Sequence, residues 1–225
     1  YATVYEDDDE AYRLWREDIG LPSDRVFHFG KKDNFWAMGD TGPCGPCSEL
    51  HYDFDPGLEE GAPRDLIDKG SDRYVELWNL VFMQYVQDGT GQMRPLPRPS
   101  IDTGMGLERL TAVLQGKTSN WDTDLFVPLI RDVGRRTGRD LSSDGEDGVS
   151  ARIIADHARS IAFLIGDGIM PANDGRGYVL RRLIRRAFRQ GQKLGLDQPF
   201  VFEMLGLVAD IMKDAYPELT SSLPL

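Results

Sequence analysis

The 225 residues allow one large domain or two ordinary ones, and 40% hydrophobic residues suffice for a real core. No apolar run approaches the ~18 residues of a membrane span, no signal peptide is visible, and a net charge of −11 excludes a protein that coats nucleic acid non-specifically. The two cysteines form one Cys-x-x-Cys, which excludes a disulfide scaffold and points to an intracellular, reducing compartment. The chain opens on Tyr1 rather than Met and runs straight into strand-like residues, as an internal piece of a longer protein would.

An acidic cluster from Glu6 to Glu10 precedes Ala11, Leu14, Trp15 and Ile19, which recur near helical spacing until Gly20-Leu21-Pro22 ends the helix. The acids complement its N-terminus. Val26 to Phe29 reads as a short strand. Thr41 to Glu49 reads as a rigid, kinked loop, because proline fixes φ while glycine takes unusual dihedrals. Cys44-Gly45-Pro46-Cys47 within it lacks the further ligands that structural zinc needs. A thioredoxin-like dithiol would want a helix running on from the motif, whereas Leu50, Tyr52 and Phe54 alternate like a strand.

Pro56 to Ser71 reads as an exposed polar loop. Tyr74 to Tyr85 is the strongest strand, apolar on both faces and expected to be central and covered on both sides. Its alternation puts Val75, Leu77, Asn79, Val81 and Met83 on one face and Glu76, Trp78, Leu80 and Phe82 on the other. Asn79 and Glu76 are polar groups in this run and need partners. Asp88 to Gly91 turns the chain toward a segment broken by Pro95, Pro97 and Pro99. There follows Ile101-Asp102-Thr103-Gly104-Met105-Gly106-Leu107-Glu108-Arg109, where two glycines after an acid leave backbone N–H groups bare at a helix start. Arg109 is expected one to two turns into that helix. Adjacent antiparallel strands would bring Asn79 and Asp102 toward one crevice.

After Gln115 the character turns helical. Asp124 to Val133 is a helix candidate with Pro128 in its first turns, and Ser142 to Gly148 reads as a loop. Ser150 is a candidate cap for a helix with Ile154, Ala158, Ile161 and Ile165 inward. His157, at the edge of that face, reads as a hydrogen-bonded core histidine. Charge is uneven here. Between Ala151 and Gly195 stand Arg152, Arg159, Arg176, Arg181, Arg182, Arg185, Arg186, Arg189 and Lys193, against only Asp156, Asp167 and Asp174. On one helix Leu180, Leu183, Ile184, Ala187, Gly191 and Leu194 cluster on one side, with the arginines on the opposite arc. No acid lies between Tyr178 and Gln190 to neutralise them. Such an island on an acidic protein suits one localised anionic partner, and arginine suits phosphate backbones. Phe200 to Met212 is a last helix.

These segments in series resemble the alanyl-tRNA synthetases, a family of class II aminoacyl-tRNA synthetases. The likeness rests on Asn34 to Cys47, Glu76 to Gln84, Pro95 to Pro97, Ser100 to Arg109, Ala155 to Ser160 and Arg176 to Arg182, and covers nearly the whole chain in order. The stretch ending in Arg109 looks like class II motif 3. The resemblance implies an α+β fold: the C-terminal part of an antiparallel-sheet class II catalytic core over 1–117, then an incomplete all-helical tRNA-recognition domain over 118–225.

The implied activity is ATP- and Mg²⁺-dependent conversion of alanine to alanyl-adenylate, then transfer to the 3′ end of tRNA(Ala), in the cytoplasm. No side-chain nucleophile is implied, because the substrate carboxylate attacks the α-phosphate. Asp102 would bind the alanine ammonium. Trp36, Asn79, Val81 and Gly104 would wall the methyl pocket and position the carboxylate. Gly104 and Gly106 would let the backbone approach ATP, and Arg109 would stack on adenine. Glu76 is a candidate Mg²⁺ ligand; zinc, where the parent protein has it, would lie outside this chain. Asn173 would read the wobble pair of the acceptor stem from the minor groove, and Arg181, Arg182, Arg185, Arg186 and Arg189 would meet phosphates. Motifs 1 and 2, the acidic partner of Asn173 and the editing domain would lie outside the chain, so the isolated piece is expected to be inactive. A redox protein built on Cys44 and Cys47, and a stand-alone RNA-binding domain, are the competing readings.

Overall fold

A computed structural model describes residues 1–58, 61–141 and 145–222. The chain divides into two compact units, Tyr1–Thr118 and Ser119–Leu225.

The first unit is a six-stranded sheet flanked by short helices. Its strands are β1 (Ala2–Tyr5), β2 (Val26–Phe29), β3 (Phe35–Ala37), β4 (Gly42–Asp53), β5 (Tyr74–Gln87) and β6 (Met93–Met105). The order is β2-β1-β4-β5-β6, with β3 paired to β4 off that path. The expected antiparallel sheet is in fact mixed, because β1 and β2 run parallel. Their crossover is α1 (Asp9–Arg13), continued by a π-helical turn over Leu14–Asp18. The Asp8 carboxylate caps α1 by accepting from the Ala11 N–H at 2.9 Å, while Asp9 and Glu10 occupy the positive first turn. This helical segment covers one sheet face, where Ala2 and Val4 are buried with Ala11, and the Trp15 indole N–H donates to Ser48 at 2.7 Å.

The segment expected as a kinked loop is strand. β4 runs from Gly42 through both cysteines and both prolines. Its pairing to β5 is irregular between Cys44 and Cys47, the interval that holds Pro46. A proline lacks the ladder donor, so an irregularity is where it is tolerated. Gly45 makes the strand possible: a Cβ there would stand 1.9 Å from the Phe82 carbonyl oxygen. The same logic carries β6 through its prolines. It is an edge strand, and its pairing to β5 breaks between Met83 and Tyr85, opposite Pro97 and Pro99. The expected loop from Pro56 to Ser71 contains a short helix, α3 (Pro63–Asp68), started by Pro63; another, α2 (Lys31–Asn34), precedes β3. β5 is an interior strand but lies one in from the edge strand β6 rather than at the centre, and only Tyr74, Leu77 and Val81 are buried on it. It is not covered on both sides within the described residues.

Two further expectations near the sheet change. A bulge at Leu77, between the pairs Leu50–Trp78 and His51–Glu76, transfers Glu76 to the face of Asn79. Gly104 does not stand at a helix start but near the end of β6, and α4 (Leu107–Leu114) starts only at Leu107 with Gly106 as its cap. Arg109 therefore stands in the first turn of α4. Nor is the backbone bare there, since the Gly106 N–H donates to the Leu77 carbonyl at 3.3 Å.

The second unit is helical: α5 (Val127–Thr137), α6 (Glu146–Gly166), α7 (Gly175–Lys193), α8 (Val201–Met212) and α9 (Glu218–Ser222). α6 is the hub and packs against α5, α7, α8 and α9. Its buried face alternates Ala151, Ile154, Ala155, Ala158, Ile161 and Ala162, so small residues admit neighbours closely. α7 meets it through Leu180 and Ala187. Gly177 and Gly191 are buried where a Cβ would stand 2.4 Å from the Met170 carbonyl oxygen and 2.2 Å from the Phe200 ring. Ser150 is not a cap: α6 begins four residues earlier, and the Ser150 hydroxyl donates to Gln190 on α7 at 3.1 Å. Residues 142–144 of the expected loop lie outside the described residues. His157 is buried, with Nδ1 2.9 Å from the Asp156 carboxylate. No described helix is long and apolar enough to cross a membrane.

Candidate active site

Register gathers several polar residues of β1, β4, β5 and β6 onto one sheet face. β5 and β6 pair Asn79 with Gly104 and Val81 with Asp102, and side chains two apart share a face. On the other side of β5, Glu49 pairs with Asn79, Cys47 with Val81 and His51 with Glu76. Thr3 of β1 lies opposite Glu49. Asn79, Val81, Asp102 and Gly104 thus form one floor, with Glu49, His51 and Glu76 beside it. Trp36 lies opposite Gly45, two residues along β4 from Cys47, and is 37% exposed. Asp102 and Gly104 are exposed, and a Cβ on Gly104 would meet nothing within 4 Å. The floor is open to a ligand at that point.

Glu49 is the hub of this face and was not legible as a site residue. One oxygen accepts from the Asn79 amide at 3.0 Å; the other stands 3.1 Å from His51 Nε2 and 3.4 Å from the Thr3 hydroxyl. Asn34 of α2 donates to Thr3 Oγ1 at 2.9 Å and to the Cys47 carbonyl at 3.0 Å. The alternation of Cys47, Glu49 and His51 is the signal in the sequence, and the loop expected over Thr41 to Glu49 hides its first two members. Burial pushes the Cys47 thiol up to about 12; the Glu49 carboxylate adds to this and the Asn79 amide opposes it. Cys44 is raised as well, first by burial. Both cysteines are buried and free, and a strand rather than a helix follows them. That arrangement opposes the low thiol pKa that dithiol redox chemistry uses.

Arg109 reaches back from α4, its Nη1 donating to the Glu76 carbonyl at 2.7 Å and standing 3.5 Å from the Glu76 carboxylate. The Arg109 side chain is 45% exposed, and a guanidinium offers a planar face for stacking. A Cβ at Gly106 would meet the Arg109 stem at 3.4 Å, an ordinary contact. Among the described residues no group of three or more His, Cys, Asp or Glu side chains is arranged to hold a metal ion. Mg²⁺ needs fewer, since it keeps waters and takes phosphate oxygens with one or two carboxylates. The half-exposed Glu76 fits that requirement, whereas Glu49 is already committed to three neighbours.

In the second unit Arg181, Arg182, Arg185, Arg186 and Arg189 are all exposed on α7. Two clefts open along it. One of about 500 Å³ is lined by Arg182, Arg185, Arg186, Phe188 and Arg189. The other, of about 310 Å³, is lined by Asn173, Tyr178, Arg181, Arg182 and Arg185. Asn173 is exposed, and its Oδ1 accepts from Arg181. This leaves the Asn173 amide N–H groups outward and cations around them.

The sequence profile of the tRNA synthetases class II (A) matches residues 1–224. The chain is 56% identical over 221 residues to a protein of Magnetococcus marinus named alanine–tRNA ligase, covering 98% of this chain and 25% of the relative. Proteins of the same name from Solibacter usitatus and Acidithiobacillus ferridurans are 51% and 54% identical, over 99% and 98% of this chain. The chain spans about a quarter of the length of these relatives. By the extent of the profile match, the chain belongs to the class II tRNA synthetases.

Proposed function

We propose that this chain is the portion of an alanine–tRNA ligase that carries part of the alanine and ATP site on its sheet and a tRNA(Ala) acceptor-stem surface on its helices. The observation that carries the reading is the shared floor of Asn79, Val81, Asp102 and Gly104, in a chain 56% identical to an alanine–tRNA ligase. Asp102 accepts from the substrate ammonium, a charge-assisted contact that selects an amino acid. Val81, Gly104 and Trp36 bound the methyl group, and Asn79 holds the polar end of the substrate. Arg109 stacks on the adenine, and the Gly104 to Gly106 backbone lies along the nucleotide. Glu76 would hold Mg²⁺, which when bound neutralises charge on the triphosphate. No side chain attacks: alignment and charge stabilisation carry the step. Asn173 reads the wobble pair, the α7 arginines hold the adjacent phosphates, and the protein works in the cytoplasm.

Alanine-dependent ATP–pyrophosphate exchange by the full-length protein tests this. Exchange driven by alanine above every other amino acid, and lost in Asp102→Ala, is the expected result; equal exchange without alanine would sink the reading. The 225-residue chain alone is expected to show none.

A further inference from the structure

Asn79 could meet a substrate with either edge of its amide: the carbonyl oxygen suits an ammonium, the N–H groups a carboxylate. The neighbours of Glu49 decide between them. A carboxylate accepts hydrogen bonds and does not donate, so the Asn79 atom 3.0 Å from Glu49 Oε1 is the nitrogen. Glu49 cannot readily turn away. Its Oε2 is held by His51 at 3.1 Å and faces Thr3 at 3.4 Å, and Asn34 occupies the Thr3 oxygen, which leaves the hydroxyl proton for Glu49. The Asn79 Oδ1 is buried and has no partner among the described residues. The second N–H, whose neighbour in the protein is the Cys47 sulfur, is then the edge left to a ligand. The Cys47 sulfur beside the amide is a weak acceptor and no competitor for a carboxylate.

We propose that Glu49 is a positioning residue that locks the Asn79 amide with its N–H edge toward the substrate, so that Asn79 receives the amino-acid carboxylate while Asp102 takes the ammonium. This rests on the ligase reading above and divides the two polar ends of the substrate between two strands. It also gives a function to a carboxylate whose oxygens are committed to Asn79, His51 and Thr3.

The test uses the full-length protein and two probes, L-alanine and L-alaninol, which keeps the ammonium and lacks the carboxylate. In pyrophosphate exchange, Glu49→Ala is expected to raise the alanine KM about 10- to 100-fold, the range for a lost hydrogen bond to a charged group. The ATP KM should move by less than about threefold, and the inhibition constant of alaninol should move as little. Glu49→Gln, which still accepts from Asn79 with its oxygen, should recover most of the loss. A variant that merely folds badly would lose active protein and maximal rate without separating the two probes. Equal weakening of alanine and alaninol would overturn the proposal, as would an unchanged alanine KM in Glu49→Ala. Absence of alanine-driven exchange in the unsubstituted protein would instead refute the ligase reading itself.

Discussion

Gly45 and Gly104 look alike in the sequence, each in a glycine-bearing motif beside the floor, but substituting alanine should separate them cleanly. At Gly45 a Cβ would stand 1.9 Å from the Phe82 carbonyl oxygen, 2.9 Å from the Phe82 carbonyl carbon and 3.0 Å from the Gln84 nitrogen. All three are backbone atoms and cannot rotate away. To restore even 3.0 Å, β4 and β5 must part by more than 1 Å beside the irregular interval between Cys44 and Cys47. Overpacking costs about 1–3 kcal/mol, and each ladder bond stretched beyond use costs about 1 kcal/mol more. Gly45→Ala is thus expected to destabilise the first unit by about 3–5 kcal/mol. At Gly104 a Cβ meets nothing within 4 Å, and alanine in a strand is if anything favourable by a few tenths to about 1 kcal/mol. The assay is urea unfolding followed by tryptophan fluorescence, which reports mainly on this unit because Trp15, Trp36 and Trp78 lie in it. Gly104→Ala should unfold no earlier than the unsubstituted chain. On the proposed ligase reading, in the full-length protein it should nonetheless raise the alanine KM about 10- to 200-fold, since it fills the space of one methyl group. Unfolding of Gly45→Ala within about 0.5 kcal/mol of the parent would refute the claim that this glycine is what admits strand in place of loop.

Three further outcomes are expected. Replacing Arg185 and Arg186 by alanine should reduce the salt slope of tRNA binding by about 1.5, at roughly 0.7–0.9 for each phosphate left without its cation; an unchanged slope would remove them from the phosphate surface. With its pKa near 12, native Cys47 should be thiolate in only about one molecule in ten thousand at pH 8. Iodoacetamide should therefore label it at least ~100-fold faster in urea than in buffer, and prompt labelling in buffer would contradict its burial. The Arg73 guanidinium bonds both oxygens of Asp53, at 2.7 and 2.8 Å, and holds that carboxyl below the usual range. A depressed folded pKa gives stability that is complete above the unfolded value, ~4, and is lost as pH falls through the folded one. Acid unfolding of the first unit should accordingly flatten in Asp53→Asn below about pH 4; an identical pH profile would count against the pair.

What the sequence discloses here follows from the range of the interactions involved. α7 is set by its own periodicity, so its buried Leu180 and Ala187 and its exposed arginines are legible in the sequence alone. β5 is legible from its apolar run, and its register with β6 brings Asn79 and Asp102 to one face through a turn only a few residues long. The failures involve neighbours distant along the chain. Two prolines and two glycines predict a loop at Gly42 to Cys47 until Phe82, nearly forty positions away, supplies the neighbour that only Gly45 can approach. The placement of Glu76 fails for a related reason. Strict alternation sets it opposite Asn79, and a single extra residue, Leu77, reverses this. Ser150 is a good cap by composition, but its hydroxyl is taken by Gln190, forty residues on.

The same limit explains why Glu49 stays hidden while Asp102 does not. Asp102 sits in a motif whose spacing is itself informative, and it is exposed to whatever binds. Glu49 acquires its meaning from Thr3, His51 and Asn79 on three different strands, none of which marks it in the sequence. A single acid ringed by donors on a sheet otherwise built for packing costs desolvation, which is offset only because it satisfies Asn79, His51 and Thr3 together. Its presence makes physical sense where the orientation of one neighbouring amide matters more than the stability of the strand pair. Comparing Glu49→Leu with Glu49→Gln resolves that point: leucine, which leaves Asn79, His51 and Thr3 without their acceptor, should lose about 1–3 kcal/mol of unfolding free energy together with alanine affinity, whereas glutamine, whose oxygen still accepts from Asn79, should keep most of both. If glutamine lost alanine affinity as fully as leucine while keeping the parent's stability, the Glu49 oxygen would not be what orients the Asn79 amide.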